Sequence, residues 1–362
     1  MRYAVIMAGG SGKRLWPLSR QKKPKQVLKL IEGQTLLRKC FERLQGIFEP
    51  ANILVVTNAD YVETVCDELG ELPKENIVAE PVVRDTAGAI GLAATILHKR
   101  DASATMAVVT ADQLLEPAEK FRQTLIAAIS FIDENPDAMI TFGIKPLFPS
   151  TQFGYLKFGN VKPCAKAAEH VYAIDTFKEK PNIETATRYF SDGHFFWNAG
   201  LFVCRCETIL NHLKTFLPDC VEPLAKIREG WATANQQKML EEWFPKLPKI
   251  SIDYAVMEKA PQVHGMELDC RWMDLGSFSA LQNIIPPDHN QNTVAAKYSE
   301  LLNSKNNIIA TEENGHLIAL IGVENMIVAH SKDATLVCPI DQADRLKELL
   351  DVIKSHQCEQ FL

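Results

Sequence analysis

Apolar and polar positions follow two rhythms through about residue 130. Short, mostly apolar runs at Tyr3–Met7, Asn52–Thr57, Asn76–Ala79 and Met106–Thr110 predict strands buried on both faces. Between the first two runs, Leu36, Leu37, Cys40, Phe41 and Leu44 recur at helical spacing and predict a helix with one apolar face. Strands alternating with helices predict an α/β chain, a parallel sheet with helices on both faces. In such sheets ligands lie beyond the carboxyl ends of the strands. Ala138–Gly143 predicts one further strand, after which the rhythm loosens. The aromatic-rich segments 148–159, 174–181 and 195–205 read as strand-and-turn pieces inserted on the sheet and facing substrate. Helical patterning returns from about 206 to 245.

Paired prolines in "IIPPDHNQN" (284–292) mark a linker. The expected division is therefore a large unit, 1–286, and a small C-terminal unit, 290–362. The small unit reads as short strands, among them His316–Ile321 and Met326–Ala329, in a β-helix-like arrangement with isolated histidines. It ends in a helix for which Asp341 is the expected N-cap and Leu346, Leu349, Leu350 and Ile353 the apolar stripe.

The first strand leads into "MAGGSGKRLWPLSRQKKPKQVLKL" (7–30), which has the glycines of a phosphate loop. Two templates fail by counting. A Walker loop needs glycine at position 7, which is Met7, and Ser or Thr after Lys13, where Arg14 stands. The dinucleotide pattern from Gly10 needs its last glycine at position 15, which is Leu15. Pro17 and Pro24 exclude one continuous helix, so an extended, glycine-initiated loop is expected. It carries seven bases between Lys13 and Lys29 and no acid, in a chain of net charge −6. Glycines that allow close backbone approach beside fixed cations favour a polyphosphate ligand over a merely solvated basic loop.

Composition narrows this further. A chain of 362 residues, 46% hydrophobic and 23% charged, is globular. No apolar run approaches the ~20 residues that span a bilayer, and a pI near 5.9 argues against a nucleic-acid polymer as partner. The nine cysteines are scattered, with Cys204 and Cys206 expected on one face of a strand Leu201–Cys206. A reduced, cytoplasmic setting is expected.

Two acids, Asp112 in "TADQ" and Asp274 in "RWMDLGSF", lie far apart in sequence. A magnesium ion takes one or two protein carboxylates and completes its octahedron with phosphate oxygens and water, so a phosphate loop gives the pair a use. Taken singly, Asp112 reads equally well as the cap of a helix starting near Glu116, and Asp274 as a turn acid. In "FKEKP", Glu179 and Lys180 are neighbours that can serve one ligand only if the chain turns there. Asn198 sits in an apolar segment, where it needs backbone partners or a polyhydroxylated ligand.

These segments in this order resemble the sugar-1-phosphate nucleotidylyltransferases, most closely their guanylyltransferase branch. The resemblance rests on Gly9–Pro17, Pro24-Lys25-Gln26, Glu80-Pro81, Arg84–Ala87, Asp112, Phe177–Pro181, Trp197–Phe202, Asp253–Lys259 and Trp272–Gly276. It implies a Rossmann-like mixed sheet with helices on both faces, of the nucleotide-diphospho-sugar transferase type, and a reaction of GTP with mannose 1-phosphate. By resemblance, Gly9, Gly10 and Gly12 would wrap the nucleotide, Arg14 and Lys25 would neutralise its phosphates, and Glu80 and Arg84 would lie on the nucleoside side. Asp112 and Asp274 would hold Mg2+. Lys180 would grip the sugar's phosphate, with Gly154, Glu179 and Asn198 facing the sugar. No membrane partner is implied, and a homodimer is a candidate assembly. The chain departs from the pattern at Asp85, Gly88, Gln113 and Ala199. Another nucleotide, another hexose or heptose 1-phosphate, and a non-catalytic sugar-nucleotide binder stay open as alternatives.

Overall fold

The computed structural model describes residues 1–10, 12–31, 33–162 and 170–362; Ser11 of the glycine loop lies outside them. In β1 (Arg2–Ala8), Ala4, Ile6 and Ala8 turn to one face and Tyr3 and Val5 to the other, and all five are buried. The same two-sided burial holds in β2 (Ile53–Asn58) and β4 (Thr105–Thr110), where Val55 and Val109 join the first face and Val56 and Val108 the second, while the edge strand β3 (Ile77–Glu80) is fully buried on one face only. Strands buried on both sides need a helical layer on each. On the first face lie α1 (Leu36–Leu44) and, later in the chain, a helix beginning at Ala118; on the second, after the short α2 (Val62–Glu68), lies α3 (Asp85–Arg100).

After β4 the chain makes the short strand β5 (Gln113–Glu116), then α4 (Ala118–Glu134), β6 (Met139–Ile144), β7 (Tyr155–Lys162), β8 (Val171–Lys178), α5 (Ile183–Asp192) and β9 (Phe195–Arg205). Three helices follow, α6 (Cys206–Phe216), α7 (Val221–Gly230) and α8 (Gln236–Trp243), then β10 (Val263–Glu267), β11 (Arg271–Asp274) and α9 (Phe278–Ile284). The main sheet has nine strands in the order β3-β2-β1-β4-β9-β6-β10-β8-β7. β1 to β4 are parallel, as the sequence rhythm requires, and β9 enters antiparallel between β4 and β6. Of the aromatic-rich segments, those forming β7 and β8 extend this same sheet at its far edge, while the third forms β9 at its centre.

Several local expectations are corrected. A helix does start near Glu116, at Ala118, but Asp112 does not cap it: Pro117 holds that place, and residues 113–116 pair antiparallel with β11, a long-range ladder that overrides local pattern. Cys206 opens α6 instead of sharing a strand face with Cys204. Asp341 lies in a 3-10 turn, Ile340–Arg345, and the last helix, α10 (Leu346–Ser355), starts without a side-chain cap. Leu349 is exposed there, while Leu346 and Leu350 are buried. His316 and His330 are not isolated, since their rings stack 3.7 Å apart.

Beyond residue 290 the strands coil upon themselves. β12 (Thr293–Ala295), β14 (Ile308–Thr311) and β16 (Met326–Ser331) stack in parallel, as do β13 (Tyr298–Leu302) and β15 (Leu317–Ile321), and β17 (Ala334–Pro339) closes antiparallel on β16. Buried asparagines satisfy the corners. Asn307 donates to Asn292 Oδ1 at 3.0 Å and to the Val323 carbonyl at 2.8 Å, and accepts from Met326 N–H at 3.0 Å.

The coil does not stand apart. Ile308, Ile327, Leu336, Leu346 and Leu350 share one core cluster with Leu15, Leu18 and Leu28 of the basic loop and with Met273, Leu275 and Phe278. Polar contacts reinforce this seam: Trp16 Nε1 donates to the Phe361 carbonyl at 2.5 Å, Arg20 meets Asp333 at 2.5 Å, and Lys23 meets Glu312 at 2.7 Å. Part of the cationic island seen in the sequence is therefore paired internally. Among the described residues no helix is long and apolar enough to cross a membrane.

Candidate active site

The basic loop leaves the carboxyl end of β1, where the sheet topology places a ligand. Its conformation hangs on Gly12, whose φ of +64° is left-handed and disfavours any side chain. A Cβ there would also lie 2.5 Å from Lys25 Cβ. Ser19 Oγ donates to the Gly12 carbonyl at 2.6 Å, folding the loop back so that Pro24-Lys25 runs alongside the glycines. Gln26 fixes the other side by donating to the Ala8 carbonyl at 2.5 Å.

Lys25, only 8% exposed, lies between the two distant acids. Its ammonium is 2.7 Å from Asp112 Oδ2 and 3.4 Å from Asp274 Oδ1. The β5–β11 ladder brings these acids together: Gln113 faces Asp274 in register, and Leu275 N–H donates to the Asp112 carbonyl at 3.1 Å. Burial alone would pull the Lys25 amine down, but Asp112 and Asp274 outweigh it and hold its pKa above the ordinary lysine value. Burial pushes the Asp274 carboxyl up, against the pull of Lys25 and, more weakly, of Arg14. Arg14 stands near, with Nη1 3.9 Å from where a Cβ on Gly276 would sit.

Glu80, at the end of β3, flanks the glycines from the opposite side, its Oε2 3.0 Å from where a Cβ on Gly9 would sit. Burial, reinforced by Asp85, pushes its carboxyl up to about 8. The folded chain thus favours protonated Glu80, whereas the unfolded chain titrates near the ordinary value of 4.5. Stability from this residue falls as pH rises between those two values and is level beyond. Glu80→Gln is expected to stabilise the protein above about pH 8 by a few kcal/mol, at ~1.4 kcal/mol per pKa unit. It should change little near about pH 4, where the acid is already neutral. Equal shifts in Tm at both ends of the range would rule out a buried titrating acid. Arg84 does not join this group: its guanidinium donates to the Pro245 carbonyl, and Gly88 lies against it.

A second cluster forms at β7, β8 and β9. Lys180 has a φ of +42°, the turn that lets Glu179 and Lys180 serve one place, and its ammonium bonds the buried Glu179 carboxylate. Gly154 is required here, since a Cβ would collide with Glu179 Oε2. Asn198 is tied into the same cluster, its N–H donating to the Gly154 carbonyl at 2.8 Å. Its Oδ1 accepts from Thr141 Oγ1 at 2.9 Å, and its Nδ2 donates to Asp253 Oδ1 at 3.0 Å. Burial pulls Lys180 down, but Glu179 and then Asp253 hold it above its ordinary value. Gly154, Glu179, Lys180 and Asn198, singled out separately in the sequence, are thus one constellation. Sequence reasoning missed Asp253 and Glu258 as members of it. Glu258 Oε1 accepts the Glu179 N–H at 2.8 Å. Their signal was the short spacing of acids in "SIDYAVMEK", which reads as ordinary amphipathic helix. The two clusters are joined by Gln113, whose Nε2 donates to the Ala199 carbonyl at 2.7 Å.

The class is that of the nucleotidyltransferases, which the family match below shows and which the acid pair, glycine loop and lysine–glutamate pocket suit. Residues 3–291 match the family described as nucleotidyl transferase, and residues 301–353 the MannoseP isomerase/GMP-like beta-helix domain. Within that class, the chain belongs to the mannose-1-phosphate guanylyltransferase family. It is 35% identical to a Klebsiella pneumoniae mannose-1-phosphate guanylyltransferase, over 100% of this chain and 76% of that one. It is 34% identical to the protein of that name from Escherichia coli K12, over 98% of this chain and 73% of the other. A crystal structure from Thermus thermophilus, named a mannose-1-phosphate geranyltransferase, superposes with a TM-score of 0.84 at 32% identity, over 98% of this chain and 99% of that one.

Proposed function

We propose that the protein transfers GMP from GTP to mannose 1-phosphate, giving GDP-mannose and pyrophosphate. The observation that carries this reading is the pairing of Asp112 with Asp274 around the Lys25 ammonium, next to the loop of Gly9, Gly10 and Gly12. The relatives named above supply the choice of nucleotide and sugar.

The attacking group is a phosphate oxygen of the sugar phosphate, already ionised at neutral pH, so no general base is needed. It forms a bond to the α-phosphorus of GTP while the bond from that phosphorus to the β-phosphate oxygen breaks, and the electron pair leaves with pyrophosphate. Catalysis is then positioning and charge neutralisation. Lys180 would hold the sugar's phosphate, and Arg14 and Lys25 would meet the charge on the departing pyrophosphate. Glu80 would lie on the nucleoside side of the glycine loop.

The site suits a magnesium ion: two carboxylates already accept one cationic group, and magnesium binds through one or two carboxylates with phosphate oxygens and water completing its shell. Asp112 and Asp274 would hold it, and its charge would stabilise that developing on the phosphates. Lys25 would then turn from the acids to the triphosphate.

Pyrophosphate release tests the reading, with GTP and mannose 1-phosphate run beside ATP, UTP, dTTP and glucose 1-phosphate. Strong release only with the first pair is expected. Release with another pair overturns the substrate assignment, and no release with any pair, from folded protein, overturns the activity.

A further inference from the structure

Asp253 has no role in the chemistry above, yet it sits at the centre of the lysine–glutamate pocket. It opens a single turn of π-helix, Asp253–Met257, closed by the Glu258 N–H donating to the Asp253 carbonyl at 3.0 Å. Such isolated π turns recur at functional sites. Here the extra residue in the turn lets both acids reach the same strand end: Glu258 accepts the Glu179 N–H, and Asp253 accepts from Asn198. Glu179 bonds the single ammonium of Lys180, and the charge of Asp253 acts on it as well.

Pure packing would not call for that arrangement. Burial, then Glu179, push the Asp253 carboxyl up to about 7, against the pull of Lys180 and Asn198. An asparagine at 253 could accept the same bond from Asn198 without that strain. One oxygen of Asp253 is taken by Asn198. Besides its own backbone N–H, no other described residue donates to the carboxyl, and the residue keeps part of its surface open to solvent. Asn198, by contrast, is engaged through both ends of its amide, with Gly200 N–H also reaching its Oδ1 at 3.3 Å. Asn198 therefore works as a strut, and the free acceptor belongs to Asp253.

We propose that Asp253 is a sugar-binding residue, whose free carboxylate oxygen accepts a hydrogen bond from a ring hydroxyl of the hexose 1-phosphate and thereby sets which hexose is used. The inference rests on the substrate reading above and names the residue behind its sugar selectivity. A hydroxyl donating to a buried acceptor gives strong discrimination, because an analogue without it leaves that acceptor unpaired. Lys180, drawn toward the incoming phosphate, would relax its hold on Glu179 and leave both acids facing the sugar.

Asp253→Asn tests this, because it keeps the acceptor for Asn198 and turns only the free oxygen into a donor. The expected result is a KM for mannose 1-phosphate raised about tenfold or more, with the KM for GTP within about twofold, as loss of one buried hydroxyl contact predicts. Monodeoxy mannose 1-phosphates supply the second readout. One of them should lose about tenfold or more in kcat/KM with the wild-type chain and far less with Asp253→Asn. Asp253→Glu, which keeps the charge but shifts it by one methylene, should change the ranking of hexoses without abolishing turnover. A wild-type chain that turns over while Asp253→Asn keeps its sugar KM and its deoxy-sugar profile overturns the inference alone. Parallel losses in both KM values, with lowered Tm, also overturn it in favour of a structural role. A wild-type chain that neither binds nor turns over any hexose 1-phosphate overturns the substrate reading, and this inference with it.

Discussion

Asp274→Asn is expected to lower metal-dependent kcat by about 10²–10³-fold, the loss that follows removal of one preorganised charge aimed at a reacting centre. The variant should fold normally. Residue 274 holds its place through the backbone ladder with Gln113, which an asparagine preserves, and burial already disfavours the ionised acid. Lys25 would retain Asp112, its nearer partner at 2.7 Å. A titration of kcat against Mg2+, a thermal melt and a Mn2+ binding isotherm separate the cases. Wild-type turnover in the variant, or unchanged Mn2+ affinity beside lost turnover, would remove Asp274 from the metal site.

Truncation after residue 290 is the other large effect. The cluster that would be cut open joins Ile308, Ile327, Leu336, Leu346 and Leu350 to Leu15, Leu18, Leu28, Met273, Leu275 and Phe278. Each buried aliphatic or aromatic side chain contributes ~1.5–3 kcal/mol, so losing half of this contact removes as much as the whole stability of an ordinary domain, ~5–15 kcal/mol. The shortened chain is expected to aggregate or to bind hydrophobic dye, and to have no turnover. The basic loop would lose its tie from Trp16 to the Phe361 carbonyl, and Asp274 its immediate neighbours Met273 and Leu275 as packed supports. A truncated chain that is monodisperse, sharply melting and fully active would show that the coil contributes nothing to the catalytic unit.

Much of the sheet was legible because burial on both faces leaves a local mark. Tyr3–Met7 and Met106–Thr110 read as strands since nothing polar interrupts them. The glycine-led loop after β1 was legible from its glycines and prolines. What sequence could not reveal were contacts made across long separations. Asp112 looked like a helix cap because residues 113–116 carry no strand signal strong enough to outweigh a following helix, and their partner lies beyond residue 270. Asp341 looked like an N-cap for the complementary reason: the local residues suit a cap, but the coil's end draws them into a 3-10 turn. Lys25 was assigned to the phosphates by resemblance, and its place between two acids depended on the left-handed Gly12 turn. Asp253 was missed because a π turn differs from an α turn by one residue, a difference that apolar periodicity barely registers.

The nine-stranded order divides the labour of the cleft spatially. The glycine loop and Glu80 hang from β1 and β3 on one side, while Gly154, Glu179, Lys180 and Asn198 hang from the β7, β8 and β9 side. Side chains that share no partners vary almost independently, so on the proposed reading the sugar-binding half can drift toward new sugars while the phosphate half is left alone. On that reading, a chimera that exchanges β7, β8 and β9 should take its nucleotide preference from one parent and its sugar preference from the other. Gln113, whose amide ties β5 to β9, is the seam along which such a graft must be matched.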